Sequence, residues 1–294
     1  MHARAFGRTG LRVPVLGFGA MQLGDPRIDD GEAGRLLNAV VDAGLTLIDT
    51  ARSYGVSEER IGRHLAHRRG EIILSTKVGY GVPGVPDWTG ECILRGVDAA
   101  RARLRTETID IVHLHSCGLD TLRCSEVADA LLRCVEQGKI RVAAYSGDDD
   151  ALDFAVASGA FGSFQASVSV CDQRSLPILE RARAQGAGTI AKRTFAGRPW
   201  AAQSAPADPT HGEYYRRFET LRRELQATPG DWDEVALRFA AYEEPVDCVI
   251  VGGTNARHVE RNLAAVTKGP LEPGLHAAIR AAFEKQGGDW RGLV

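Results

Sequence analysis

The amino-acid sequence predicts an α/β fold, a closed (β/α)8 barrel of the TIM type. Short apolar runs alternate with longer amphipathic ones from one end of the chain to the other, the pattern of βα units around a parallel sheet. Eight such apolar runs occur, and eight parallel strands close into a barrel ringed by helices. The 294 residues fit one barrel with additions, and no internal repeat, linker or low-complexity tract divides them. Residues 1–294 are therefore read as a single barrel domain.

The elements follow in order. FGRTGLRVP reads as an N-terminal hairpin that plugs the barrel bottom, because a polar, glycine-containing turn separates Phe6 from Leu11 and Val13. The eight strands are VLGFG (15–19), TLIDT (46–50), IILST (72–76), IDIVHLH (109–115), IRVAAYS (140–146), GSFQAS (162–167), GTIAKR (188–193) and DCVIVG (247–252). EAGRLLNAVVDAG and DALLRCVEQGK carry apolar residues at helical spacing and end near glycine, as outer-ring helices do. Two segments exceed a bare barrel. AGRPWAAQSAPADPTHG (196–212) is expected as a long loop and flap at the C-terminal face, and the chain after Pro273 adds a C-terminal helix and the tail GGDWRGLV.

Composition excludes several classes. With 44% hydrophobic and 25% charged residues the chain is an ordinary globular one, and a net charge of -2 argues against nucleic acid as a partner. Six cysteines without a C-x-x-C pair suit neither a metal site nor a disulfide framework and read as reduced thiols. No segment approaches the roughly 18 uninterrupted apolar residues of a membrane span, and the N-terminus has no leader-like apolar core. A cytoplasmic protein without membrane contact, monomer or homo-oligomer, is expected.

Active groups of such a barrel sit at the C-terminal ends of its strands and in the loops beyond. LIDTARSYG (47–55) closes an apolar run on Asp49 and reaches Tyr54 five residues later. A buried carboxylate is too costly unless a helix cap or a cation meets it, and the next strand, in LSTKVG, ends at Lys77. That ammonium also favours the Tyr54 phenolate, which makes the tyrosine a usable acid near neutral pH. The fourth strand ends on His115; His113 shares its face deeper in the barrel, where packing is its expected role. Singly these are an ion pair, a surface phenol and a core imidazole. In register on consecutive strand ends they converge on one mouth.

LIDTARSYG, LSTKVG and IDIVHLH resemble the aldo-keto reductase superfamily, and the likeness runs from GFGAMQLG through GKIRVAAYS to IVGGTNARHVERNL. The resemblance implies a nicotinamide-dependent oxidoreductase that reduces an aldehyde or ketone, or runs the reverse from an alcohol. Tyr54 would be the general acid, Lys77 its pKa-lowering neighbour, Asp49 the holder of the lysine and His115 the residue that orients the substrate oxygen. The implied cofactor is NADP (NADPH), with NAD possible. Its expected contacts are Gly19, Met21 and Asp49, then Ser146 and Gln165 at the nicotinamide amide, and Lys192 or Arg193 at phosphate. Gly252, Gly253, Thr254, Arg257, His258 and Asn262 are expected at the adenosine end, where a loop turns into a helix with phosphate-binding amides.

The chain also departs from the family. Gly147 follows Ser146 where an asparagine is common, and Lys192 stands where many relatives stack an aromatic ring. Gly252 and His258 replace a lysine and an arginine, with Arg257 displaced by one position. GFGAMQ has Gln22 where a Rossmann fingerprint ends in glycine, so that fold is rejected. Trp88, Trp200, Trp290 and the loop after His115 are the expected substrate-specificity elements. Two rival readings remain: a cofactor-binding sensor or regulatory subunit with little turnover, and an aldolase with a Schiff base on Lys77.

Overall fold

Each of the eight apolar runs forms a barrel strand in the computed structural model, which describes residues 3–225 and 230–293. The chain opens with β1 (Ala3–Ala5) and β2 (Arg12–Pro14), an antiparallel hairpin. Its Phe6, Leu11 and Val13 are buried against Leu47, Ile111, Val142, Ile190 and Cys248, so the hairpin closes the bottom of the barrel as expected. Gly7 permits this fit: its φ is +52°, and a Cβ there would lie 2.4 Å from the carbonyl oxygen of Gly186.

The first half of the barrel runs β3 (Leu16–Gly19), α1 (Asp30–Asp42), β4 (Leu47–Asp49), α2 (Ser57–Leu65), β5 (Ile73–Val78), α3 (Gly90–Leu104) and β6 (Ile109–His115). Then follow α4 (Leu119–Arg123), α5 (Glu126–Glu136), β7 (Ile140–Ser146), α6 (Asp149–Ser158), β8 (Ser163–Ser167), α7 (Leu176–Ala184) and β9 (Gly188–Lys192). The last part holds α8 (Pro209–Glu224), α9 (Trp232–Ala241), β10 (Cys248–Gly252), α10 (Ala256–Thr267) and α11 (Pro273–Gln286). All barrel neighbours pair parallel, in the closed order β10-β3-β4-β5-β6-β7-β8-β9. Register matters more than order here. Gly19 lies opposite Asp49, Asp49 opposite Ser75, Lys77 opposite His113, and His115 opposite Ser146, which faces Gln165. Polar residues from successive strands therefore meet at one level near the C-terminal ends.

The helices form as their sequences require. In α1 the Asp29 side chain accepts from the Glu32 amide, and Ala33, Leu36, Leu37, Val40 and Val41 make the buried stripe. The segment 196–212 is not one long loop. Pro199–Ala201 forms a 3-10 turn, and α8 begins at Pro209 because the Asp208 carboxylate caps the His211 amide and proline suits a first helical turn. Tyr214 and Phe218 of α8 pack with Trp232 and Phe239 of α9 and Ile279 and Phe283 of α11 in a second apolar cluster. The tail beyond α11, described as far as Leu293, is tied back by Arg174, Arg193 and Arg217, which donate to its carbonyls. Among the described residues no helix is long and apolar enough to cross a membrane.

The turn Met21–Gly24 supports the loop that carries Tyr54. The Val56 amide donates to the Gly24 carbonyl at 3.2 Å, and a Cβ on Gly24 would fall 1.9 Å from the Tyr54 carbonyl oxygen. Gly24→Ala is therefore expected to force that loop outward, at a cost of about 1–3 kcal/mol for overpacking. Urea denaturation measures it; an unchanged midpoint would show that the loop yields freely.

Candidate active site

A cleft of about 770 Å³ opens where the strands end, lined by Gly19, Met21, Asp49, Tyr54, Lys77 and His115 on one side and by Ser146, Gln165, Lys192, Arg193 and Thr194 on the other. A far smaller hollow of about 10 Å³ lies in the second apolar cluster, under α8 and α11. Its apolar lining offers no group for chemistry.

Asp49 and Lys77 form the floor of the cleft, both 2% exposed, with Nζ 2.5 Å from Oδ2. Lys77 donates also to the Thr50 carbonyl at 2.8 Å. The other oxygen of Asp49 accepts from the Ser75 hydroxyl at 2.7 Å and from the Gln165 amide at 3.0 Å. Burial works against both charges. The Lys77 ammonium and these hydrogen bonds nevertheless hold the Asp49 carboxyl below its usual range, and Asp49 holds Lys77 above its own. The pair is ionised.

Tyr54 stands in the loop after β4 with the Lys77 ammonium 5.1 Å from its ring centroid. Here the structure corrects the expectation from sequence. Burial raises the phenol above its ordinary pKa, and the Lys77 charge offsets only part of that rise. Tyr54 is therefore held protonated at neutral pH. His115 meets its ring edge to face, with centroids 5.9 Å apart. Burial, reinforced by the charges of Lys77 and Lys192, brings the His115 imidazole down to about 3, so it is neutral. His113 is fully buried, bonded to Ser75 at 3.1 Å and likewise brought down to about 3 by burial; it belongs to the packing beneath.

The expected cofactor residues divide into two groups. Gly19, Met21, Asp49, Ser146, Gln165, Lys192, Arg193 and Gly252 line the cleft; Gly253, Thr254, Arg257, His258 and Asn262 do not. The Ser146 hydroxyl donates to Gln165 Oε1 at 3.0 Å while the Gln165 amide reaches Asp49. Gly147 has a steric cause: a Cβ there would lie 2.3 Å from the Tyr145 hydroxyl, which donates to the Cys117 carbonyl. Lys192 is tied to Asp148, 3.4 Å away, and Arg193 donates to the Leu293 carbonyl. Gly252 is pressed by Gln22, whose Oε1 would be 2.2 Å from an added Cβ. The Asn255 side chain caps α10 through the Arg257 amide, whereas the side chains of Arg257 and His258 are exposed and make no hydrogen bond or ion pair among the described residues.

A dinucleotide fits this lining. The Thr194 and Tyr214 hydroxyls border the cleft as buried polar atoms without a hydrogen-bond partner among the described residues. Trp88, Trp200 and Trp290 do not border it: Trp88 packs against Tyr80, and Trp200 and Trp290 join the second apolar cluster. Reading the sequence missed Tyr80, Ser75, Asp148, Thr194 and Tyr214. Tyr80 alone had a signal, standing three residues after Lys77 between the glycines of KVGYG.

Replacing Lys77 tests the floor. Lys77→Met leaves a buried carboxylate without its cation, a defect worth about 3–5 kcal/mol. In the wild type, the share of stability from Asp49, whose pKa is lowered, is present above the ordinary 3.8 and lost only in stronger acid. The share from Lys77 is present below 10.5 and lost above its raised folded value. In Lys77→Met, burial raises the Asp49 pKa instead, so the variant loses stability as pH rises through the carboxylate range. Urea midpoints at pH 4.5 and 8, taken as round values about the carboxylate range, should show a widening gap from wild type; a constant gap would mean Asp49 finds another partner.

Comparison with known proteins agrees with this geometry. L-galactose dehydrogenase of Arabidopsis thaliana is 27% identical over 282 residues, 90% of this chain and 88% of that one. A probable voltage-gated potassium channel subunit beta of the same plant is 34% identical over 122 residues, 39% of this chain and 37% of that one. The solved holo form of an aldo-keto reductase from Bacillus halodurans superposes with a TM-score of 0.84 at 27% identity, covering 96% of each chain. Residues 15–284 match the model of the aldo/keto reductase family, and the chain belongs to that family.

Proposed function

We propose that the cleft reduces an aldehyde or ketone with NADPH, Tyr54 giving the proton to the carbonyl oxygen. Membership of the family makes the chain an oxidoreductase of carbonyl compounds with a nicotinamide cofactor; the residue roles and the choice of NADP are the proposed part. The observation that carries it is the meeting of a protonated phenol and a neutral imidazole above a sealed ion pair. When bound, the cofactor supplies the hydride. This chain's own residues do the rest: Tyr54 holds the proton, His115 orients the carbonyl oxygen, and Lys77 compensates charge as the phenol becomes phenolate. Ser146 and Gln165, which line the cleft, would hold the nicotinamide amide.

A Schiff base on Lys77 is disfavoured by the same electrostatics, because Asp49 keeps the amine protonated and so without a nucleophilic lone pair. A sensor with little turnover differs in its kinetics. Tyr54→Phe is expected to lower NADPH oxidation by about 10²-fold to 10⁴-fold against a panel of carbonyls, with cofactor affinity by fluorescence quenching unchanged. Equal rates in wild type and variant would take Tyr54 out of the mechanism, and quenching without turnover in the wild type would favour the sensor.

For the 2'-phosphate, Arg257 is the available cation, with the exposed His258 beside it. An arginine fork gives two charge-assisted hydrogen bonds in a fixed geometry where a histidine gives at most one. Arg257→Ala should therefore weaken NADPH binding while leaving NADH alone, and raised salt should act in the same direction because the contact is exposed. Titrating both cofactors into both proteins checks it; equal losses would show that Arg257 does not read the phosphate.

A further inference from the structure

A second tyrosine reaches the cleft from the loop after β5. Tyr80 stacks on His115 with ring centroids 5.5 Å apart and planes at 24°. Its hydroxyl is 2.9 Å from His115 Nδ1 and 3.2 Å from the exposed Ser53 hydroxyl. The backbone around it is clamped. Gly79 and Gly81 adopt φ of +141° and +75°, and a Cβ on Gly79 would overlap the Trp88 ring at 2.0 Å. The Trp88 amide donates to the Gly79 carbonyl at 2.7 Å, the Gly81 amide donates to Asp87 at 2.8 Å, and the Arg52 guanidinium grips the Gly81 carbonyl. Trp88 also supports the Tyr80 ring edge to face at 5.6 Å.

A neutral imidazole carries one proton, and the hydrogen bond at one nitrogen decides which nitrogen has it. Two arrangements satisfy the contacts. In one the phenol donates to Nδ1 while Ser53 donates to the phenol oxygen, which leaves a proton on Nε2. In the other Nδ1–H donates to the phenol oxygen, the phenol donates to Ser53, and Nε2 presents a lone pair. The phenol hydrogen can point to Ser53 or to Nδ1, since a hydroxyl hydrogen turns to suit its partner. Nδ1 is the closer acceptor and the stronger base, and a phenol is the more acidic donor, so the first arrangement prevails. His115 Nε2 makes no hydrogen bond among the described residues and is not sealed from the cleft.

We propose that Tyr80 is a positioning residue that fixes His115 in its Nε2–H tautomer and orientation, so that His115 presents a hydrogen-bond donor to the carbonyl oxygen of the substrate. The assignment of His115 to the substrate oxygen rests on the reductase reading above; the tautomer does not. A site with the opposite tautomer would set a lone pair against an electron-rich oxygen. The clamp on Gly79 and Gly81 is what keeps the phenol in place, since a freely turning Tyr80 would hold neither tautomer nor ring plane.

Nitrogen NMR of the 15N-histidine-labelled full chain at pH 7 decides it, with the His115 signals assigned by their loss in His115→Gln. The wild type should show a protonated Nε2 and an unprotonated, hydrogen-bonded Nδ1, and in Tyr80→Phe the Nδ1 signal should move to the value of a free ring nitrogen. A protonated Nδ1 in the wild type, or identical signals in the two proteins, overturns the proposal. The wild-type spectrum alone decides the tautomer and whether Nδ1 accepts a hydrogen bond. Should Tyr80→Phe fold poorly, the same signals in Tyr80→Trp, which also lacks the phenol hydroxyl, test the part played by Tyr80. In turnover, Tyr80→Phe should lower kcat about threefold to tenfold, the scale of one neutral hydrogen bond, with KM for NADPH unchanged. The two readings fail separately: wild-type protein that reduces no carbonyl refutes the reductase reading and leaves the tautomer result standing, whereas reduction with the wrong tautomer refutes only the role of Tyr80.

Discussion

The buried ion pair of Asp49 and Lys77 is the constraint on which the rest of the site depends. Removing two opposite charges from water costs several kcal/mol per ion, and attraction offsets that only when geometry is good and the remaining hydrogen-bonding capacity is satisfied. The barrel supplies both. β4 and β5 are neighbours, so Asp49 and Lys77 approach from adjacent strands. Gln165 comes from β8, four places round the ring, and its bond to Asp49 crosses the lumen. Ser75 links the same carboxylate to His113 on β6. Closure of the barrel completes the neutralisation of its floor, because only a closed ring brings Gln165 across the lumen to join Lys77 and Ser75 on Asp49.

The charge left at that floor then sets the state of the groups above it. Lys77 is neutralised by Asp49, and its residual field still reaches His115 and Tyr54. For the imidazole this field adds to burial and keeps the ring neutral. For the phenol it opposes burial, and burial wins. Both groups are thus neutral hydrogen donors at physiological pH, the state that reduction of a carbonyl needs on the proposed reading. On the same reading, oxidation of an alcohol would need the phenolate.

The barrel was legible in the sequence because strand number and strand ends are local properties. All eight runs formed strands, and the rule that functional groups lie at their C-terminal ends was enough to bring Asp49, Tyr54, Lys77 and His115 to one cleft. What escaped were relations between distant segments. The Gln165 bond spans 116 positions, and the tryptophans expected near substrate are held elsewhere by aromatic partners. The net direction of the Tyr54 shift depends on the depth of burial, which no spacing reveals. Departures from the family pattern became intelligible only in three dimensions, as with Gly147, where Tyr145 occupies the space.

The two walls of the cleft are consequently different in kind. The wall with Tyr54, Tyr80 and His115 is built from strand ends and short loops, pinned by backbone hydrogen bonds within those loops and between neighbouring ones, as from the Val56 amide to the Gly24 carbonyl. The opposite wall follows β9 and is held by contacts over long separations: Arg193, Arg174 and Arg217 donate to carbonyls of the tail, the Gly292 amide donates to Asp149, and Arg217 lies 5.3 Å from the Trp290 ring centroid. Hydrogen bonds from side chains to an exposed tail are individually weak, so this wall depends on their acting together with the apolar cluster of α8, α9 and α11. A change in the tail can therefore alter the mouth of the cleft without touching Tyr54, Tyr80 or His115, while the Asp49–Lys77 floor remains as it is.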